Sequence, residues 1–252
     1  MKHYLYNYQT ILTFSAPVIN HSILLRCQPM NTNYQRVEEE HVVFTPHFNL
    51  CHATDSFGNR IIYGGRRDAH VSFCYVSVGI VSVADYHTSE PWGISPIYLL
   101  PTPQTTLPVN ISAERTDDFT TDVMEICTKV NKLIDYVPSA TTVETSVKDV
   151  LKLHKGVCQD YAHLMIALCR RSGLPARYVC GFMEGTGETH AWVEVFDGKA
   201  WWPFDPTNNI AVTTGYVKVA HGRDAADCPV CRGLYAGYVA QEQQVSVTLK
   251  EL

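Results

Sequence analysis

Apolar and polar positions change their period near residue 115. Up to about Tyr86 the chain carries Tyr-, Ile- and Val-rich runs at 4 to 14, 22 to 27, 34 to 44, 60 to 63 and 70 to 83. Turn formers such as Asp55, Gly58 and Asn59 separate them, and this texture predicts a β-rich unit, a small sandwich. Residues 87 to 110 hold Pro91, Pro96, Pro101, Pro103 and Pro108. So many prolines leave no room for a regular element and predict an ordered connection lying on the surface.

A helical period follows. Phe119, Val123, Ile126, Cys127, Val130 and Ile134 mark one apolar face, with Asp117, Asp118 and Asp122 early and Lys129 and Lys132 late, as the helix dipole prefers. Thr141 to Glu144 has capping-box spacing and predicts a second, short helix burying Val147, Val150 and Leu151. A third starts after Gly156 and presents Tyr161, Leu164, Met165 and Leu168. Arg170 and Arg171 fall in its last turn, and Gly173 with Pro175 ends it.

Strands return after the third helix. Ala176 to Phe182 reads as one, Gly185 and Gly187 mark a turn, and His190 opens the alternating run to Val195. Asp197-Gly198 is a hairpin signal that brings Lys199 to Phe204 back antiparallel. Helices followed by an antiparallel sheet make an α+β unit. The expected organisation is a β-rich domain at 1–90, a proline-rich connection at 91–113, and a second domain at 114–252 that ends in a β tail.

Three residues on these elements carry chemistry. Cys158 sits where the third helix begins, a position that favours a thiolate. His190 opens one strand of the hairpin and Asp205 follows the end of the other, so the fold makes them neighbours. A thiol, an imidazole and a carboxylate supply a nucleophile, its base and acid, and the group that orients the ring. Cys127, Cys169 and Cys180 read as small core hydrophobes. His163 lies five positions beyond Cys158, about 140° around a helix, and faces away from the sulfur. Asp160 would oppose a thiolate so close to it, and its expected duty is a supporting hydrogen bond.

The runs Gly156 to Leu164, Arg170 through Gly173 to Val179, Gly181, Thr189 to Glu194 and Trp202 to Asn208 together resemble the core of the transglutaminase-like superfamily, in its microbial cysteine-protease-like branch. Upstream, Leu25-Arg26, Pro29, Gln35 and Asp55 to Asn59 are similar to the β-rich N-terminal domain of bacterial members. The resemblance spans about residues 3 to 250. It implies a papain-like catalytic core with Cys158 as nucleophile, His190 as base and acid and Asp205 as orienting carboxylate, transferring an acyl group from an amide through a thioester. Tyr136 is a candidate second oxyanion donor, because relatives often carry an aromatic there, beside the Cys158 backbone N–H.

Branch resemblance, and the lack of a calcium-type acidic loop, favour a peptidase or amidase. A protein-glutamine transglutaminase with an amine acceptor, or a non-catalytic binding module of the same fold, are the alternatives. The expected partner is a peptide or protein amide substrate, with no cofactor and no metal. Cys228 and Cys231 have the spacing of a metal or redox pair, yet they supply two of the four ligands a structural zinc needs, and the nearby His221 does not complete the set. The Glu38 to Glu40 run reads as a solvated face.

Composition narrows the partners. The 252 residues are 46% hydrophobic with a formal net charge of −5, which gives no basic footprint for nucleic acid or an anionic membrane. Nine cysteines, an odd number scattered through core segments, fit a reducing compartment better than a disulfide framework. The first residues lack the apolar stretch of a signal peptide, and no segment has the length of a membrane span. A cytoplasmic location is the expectation.

Overall fold

A computed structural model describes residues 1–90, 93–108 and 118–252. Pro91, Asp117 and the part of the connection at 109–113 lie outside the described residues.

The first half is built on one long strand. β1 (Lys2–Leu25) alternates buried and exposed positions, with Tyr4, Tyr6, Tyr8, Leu12 and Phe14 inward. The two runs read from the sequence are one element with a register irregularity between Thr13 and Val18. Bending there lets β1 serve two sets of partners. Its first part lies between β5 (His70–Val83) and β16 (Gln241–Glu251), and its second part between β4 (Arg60–Arg66) and β15 (Cys231–Ala236). β2 (Gln35–Thr45) extends the sheet beside β5, and β3 (Asn49–Thr54) extends it beside β4. The C-terminal strands therefore belong to the first sheet, where they cover edges of β1 that would otherwise be open.

The connection is more regular than its prolines suggest. β6 (Thr88–Ser89) pairs with a later strand, and Pro96–Leu99 forms a 3-10 turn with proline at its start. Tyr98 from that turn is buried against Trp201, with ring centroids 5.1 Å apart. This corrects the expectation of a surface connection without regular elements, because aromatic burial outweighs the loss of backbone donors at proline.

α1 (Phe119–Leu133) begins at Asp118, whose side chain accepts from the Thr121 N–H. α2 (Val147–Leu153) is capped by Ser146, which accepts from the Asp149 N–H, so the Thr141 to Glu144 capping box is not where the helix starts. Between them β7 (Asp135–Tyr136) runs parallel to β8 (Lys155–Gly156). α3 (Cys158–Arg171) follows at once and is buried along nearly its whole length.

Six strands form the second sheet: β9 (Ala176–Met183), β11 (His190–Phe196), β12 (Ala200–Asp205), β13 (Ile210–Ala211), β14 (Tyr216–Gly222) and β6. β10 (Gly185–Gly187) leaves this sheet to pair with β16 of the first. The two sheets share one core, in which Phe182 of β9 lies 5.5 Å from the ring of Tyr6 and 5.2 Å from that of Tyr8. The architecture is α+β, with mostly antiparallel sheets and three α-helices among the described residues.

Candidate active site

The start of α3 is fixed by three residues acting on one turn. Val157, the N-cap, has extended backbone, and its N–H donates to Asp160 Oδ2 at 2.8 Å. The same oxygen accepts from the Thr141 hydroxyl at 2.6 Å. Thr141 thus serves α3 rather than the start of α2. Gly156 leaves room for the carboxylate, since a Cβ there would lie 2.7 Å from Asp160 Cβ and 2.8 Å from Oδ2. Burial pushes the Asp160 carboxyl above its ordinary range, partly offset by these hydrogen bonds. Cys158, first residue of the helix and half-buried, presents its thiol where α3 begins.

His190 and Asp205 meet across the hairpin. The His190 Nε2–H donates to Asp205 Oδ2 at 2.7 Å. Burial disfavours the imidazolium, but the hydrogen bond and charge of Asp205, together with a hydrogen bond and charge from Cys158, lift His190 to about 9. The ring is held by the carboxylate and lines the same cleft as Cys158. The hairpin brings His190 and Asp205 together, and Cys158 lines the same cleft as His190.

Asp205 is wholly buried and accepts several hydrogen bonds. Tyr216 Oη–H and Asn208 Nδ2–H donate to Oδ2, each at 2.7 Å. The Thr207 and Asn208 backbone N–H groups donate to Oδ1 at 2.8 and 3.2 Å. Burial raises the carboxyl, and the bonds from His190, Tyr216 and Asn208 more than reverse it, so it stays ionised below its ordinary value. Asn208 was legible in an Asp-Pro-Thr-Asn turn, where an Asx arrangement is common. Tyr216 carried no local signal, because it arrives from β14 across the sheet.

Tyr136 lies at the mouth. The β7–β8 pairing sets it opposite Gly156, two residues before the nucleophile candidate. It helps line a cleft of about 500 Å³ with Val157, Cys158, Met183, Glu188 and His190. Partial burial, then the nearby Cys158 and Glu188, raise its hydroxyl above the ordinary value, which keeps the O–H as a donor.

Other singled-out residues lie elsewhere. His163 is buried with Nε2 accepting from the Ala225 N–H at 3.1 Å, and burial pulls it to about 4. Cys228 Sγ–H points at the Asp224 carbonyl at 3.6 Å, and Cys228 and Cys231 are both free thiols. His221 holds Asn59 through its backbone N–H and carbonyl. Among the described residues no three His, Cys, Asp or Glu side chains cluster as metal ligands.

Two family matches cover most of this architecture. Residues 105–206 match the Transglutaminase-like superfamily core, and residues 4–82 match the bacterial transglutaminase-like N-terminal region. The chain belongs to the transglutaminase-like superfamily.

Relatives of this superfamily member include an uncharacterized protein of Mycobacterium leprae, 37% identical over 129 residues, a match covering 47% of this chain and 46% of that protein. Uncharacterized proteins of Mycobacterium bovis and Mycobacterium tuberculosis are 36% identical over 126 residues, covering 44% of this chain and 40% of theirs. The chain spans about half the length of these curated relatives or less. The fold is shared with a proposed cysteine protease from Cytophaga hutchinsonii, at a TM-score of 0.81 and 22% identity, covering 100% of this chain and 91% of that one. The structural likeness shows the shared fold, and the family match shows the transglutaminase-like superfamily.

Proposed function

We propose that this chain is a cysteine peptidase or amidase that hydrolyses a peptide or other amide through a thioester on Cys158. The observation that carries the reading is the His190–Asp205 pair opening onto the same cleft as Cys158 at the start of α3. In this reading Cys158, at the first turn of α3, is the nucleophile and His190 is its base.

His190 takes the thiol proton as the Cys158 sulfur attacks the amide carbonyl carbon, and the C=O π electrons move onto the oxygen. The Cys158 backbone N–H and the Tyr136 hydroxyl donate to that oxyanion. The C–N bond then breaks as His190 passes its proton to the leaving amine, and a thioester remains. Water attacks the thioester while His190 takes one of its protons, and the sulfur leaves as thiolate with release of the carboxylic acid. Asp205 keeps the ring in the tautomer that faces the sulfur throughout. The nine unpaired thiols favour a reducing compartment for this chemistry, and we place the protein in the cytoplasm on that ground.

The test profiles cleavage of a peptide library by wild type against Cys158→Ala, with a thiol-reactive, carbonyl-directed probe as a second readout. Cleavage and labelling lost in the variant, with its fold intact, support the reading. Full labelling of Cys158→Ala refutes it. Offering a glutamine peptide with and without a primary amine, and weighing the products, separates hydrolysis from amine transfer. Amine incorporation outpacing hydrolysis would make the chain a transglutaminase instead. A folded protein with neither activity nor a reactive Cys158 would make it a binding module.

A further inference from the structure

The face of β11 that bears His190 carries a second polar chain. Alternation along a strand puts His190, Trp192 and Glu194 on that same face. The Trp192 indole lies at 25° to the His190 ring with centroids 6.3 Å apart. Its edge meets Tyr216, at 5.3 Å and 82°, and Tyr216 is the residue whose hydroxyl donates to Asp205. One indole thus braces the imidazole and the ring that holds the carboxylate.

Two contacts fix that indole, and a chain of buried polar groups stands behind one of them. It lies over Gly181, where a Cβ would come within 2.7 Å of its ring. Its Nε1–H donates to Tyr86 Oη at 3.0 Å, and Tyr86 Oη–H donates to Glu194 Oε1 at 2.8 Å. Glu194 is in turn held by Lys218 Nζ at 2.7 and 2.9 Å and by Arg177 Nε at 2.5 Å. All five of these side chains are buried. Burial works against ionising Glu194, yet Arg177 and Lys218 hold its carboxyl down at about 2. A committed carboxylate only accepts, so the Tyr86 proton must point at it and the phenol lone pairs must face the indole. The donor direction along the whole chain is set by one buried charge.

Tyr86 comes from outside the helices and sheet that present the three reactive side chains. It follows β5, and its ring stacks on Tyr34 at 4.2 Å. Next to Tyr34, Gln35 brackets Lys218 by accepting its N–H and donating to its carbonyl, both at 2.8 Å. The N-terminal strands therefore reach the back of the site through Tyr34, Gln35 and Tyr86.

We propose that Tyr86 is a positioning residue for the Cys158–His190 pair, setting the plane of Trp192 and through it the plane of the imidazole. This rests on Cys158 being the nucleophile. Mutating residues that orient metal-bound ligands costs about 10- to 100-fold, and the same scale is expected for one that orients the imidazole.

Tyr86→Phe keeps the ring and its stack on Tyr34 but removes both hydrogen bonds. The rate of Cys158 carboxamidomethylation by iodoacetamide, read peptide by peptide in a mass spectrometer well below the melting temperature, is compared among wild type, Tyr86→Phe, His190→Ala and Phe48→Leu. Phe48 is a buried residue of the first sheet region packed on Phe73, and it serves as a control for destabilisation alone. The expected result is a Tyr86→Phe rate about 10-fold below wild type, with Phe48→Leu unchanged. On a cleaved substrate the loss falls in kcat and leaves KM in place. A Tyr86→Phe rate equal to that of wild type, or a drop matched by Phe48→Leu, overturns the proposal. His190→Ala alkylating as fast as wild type would overturn the nucleophile reading itself, whatever Tyr86→Phe does.

Discussion

Asp205→Asn is the sharpest probe of the site because it changes charge without changing shape. The carboxylate accepts from three side-chain donors and two backbone N–H groups. If the asparagine oxygen keeps the two backbone bonds, its NH2 faces His190 Nε2–H, Tyr216 Oη–H and the Asn208 amide, all donors. His190 must then surrender the Nε2 proton or turn. In the wild type its pKa rises from 6.5 to about 9. That difference of about 2.5 pH units corresponds to roughly 3 kcal/mol in favour of the imidazolium. Asp205 supplies the largest upward contribution and burial the opposing one, so removing the charge leaves burial in command.

The assay is an NMR titration of the His190 imidazole, its resonance assigned by its disappearance in His190→Gln. The wild-type midpoint is expected near pH 9, and that of Asp205→Asn at least about one unit lower, with a loss in kcat of about 10²-fold or more. Stability follows the same sign. A group whose pKa is raised in the folded state stabilises fully below its unfolded value and loses that contribution as the pH climbs through the folded one. The stability gap between wild type and Asp205→Asn should therefore narrow between pH 6.5 and about 9. An unchanged midpoint in Asp205→Asn would refute the assignment of Asp205 as the source of the shift.

Further outcomes follow from single contacts. Gly156→Ala pushes a methyl to within 2.7 Å of Asp160 and should cost about 1–3 kcal/mol, seen as a fall in Tm of about 2–10 °C. Glu194→Gln leaves Arg177 and Lys218 buried without their anion and should lose about 3–5 kcal/mol in urea unfolding; a loss under about 1 kcal/mol would mean the trio is not held as a buried network. Tyr136→Phe should lower kcat by about 10²-fold while Cys158 alkylation, which forms no oxyanion, keeps its wild-type rate. Equal turnover by Tyr136→Phe would remove Tyr136 from the oxyanion site.

Local rules carried much of this protein. The 3.6-residue period and Asp118 located α1, and Gly156 ahead of an apolar run located α3, because those signals act within a few residues. Asp197-Gly198 set the hairpin register that makes His190 and Asp205 neighbours, with Val193 opposite Phe204. Local rules misled where a side chain served a distant element. Thr141 looked like a cap for α2 and instead holds the Asp160 turn of α3.

The amino-acid order alone determined that a thiol starts a helix, that an imidazole and a carboxylate flank a hairpin, and that the chain resembles a transglutaminase-like core. Each of those features is written in neighbouring residues. Tertiary structure alone decided what surrounds them. Tyr216 reaches Asp205 from β14, Tyr86 reaches Trp192 from beyond β5, and the C-terminal strands close on β1. Such contacts join residues far apart in the chain. They depend on sheet order and on the bend in β1, and no short-range periodicity encodes either.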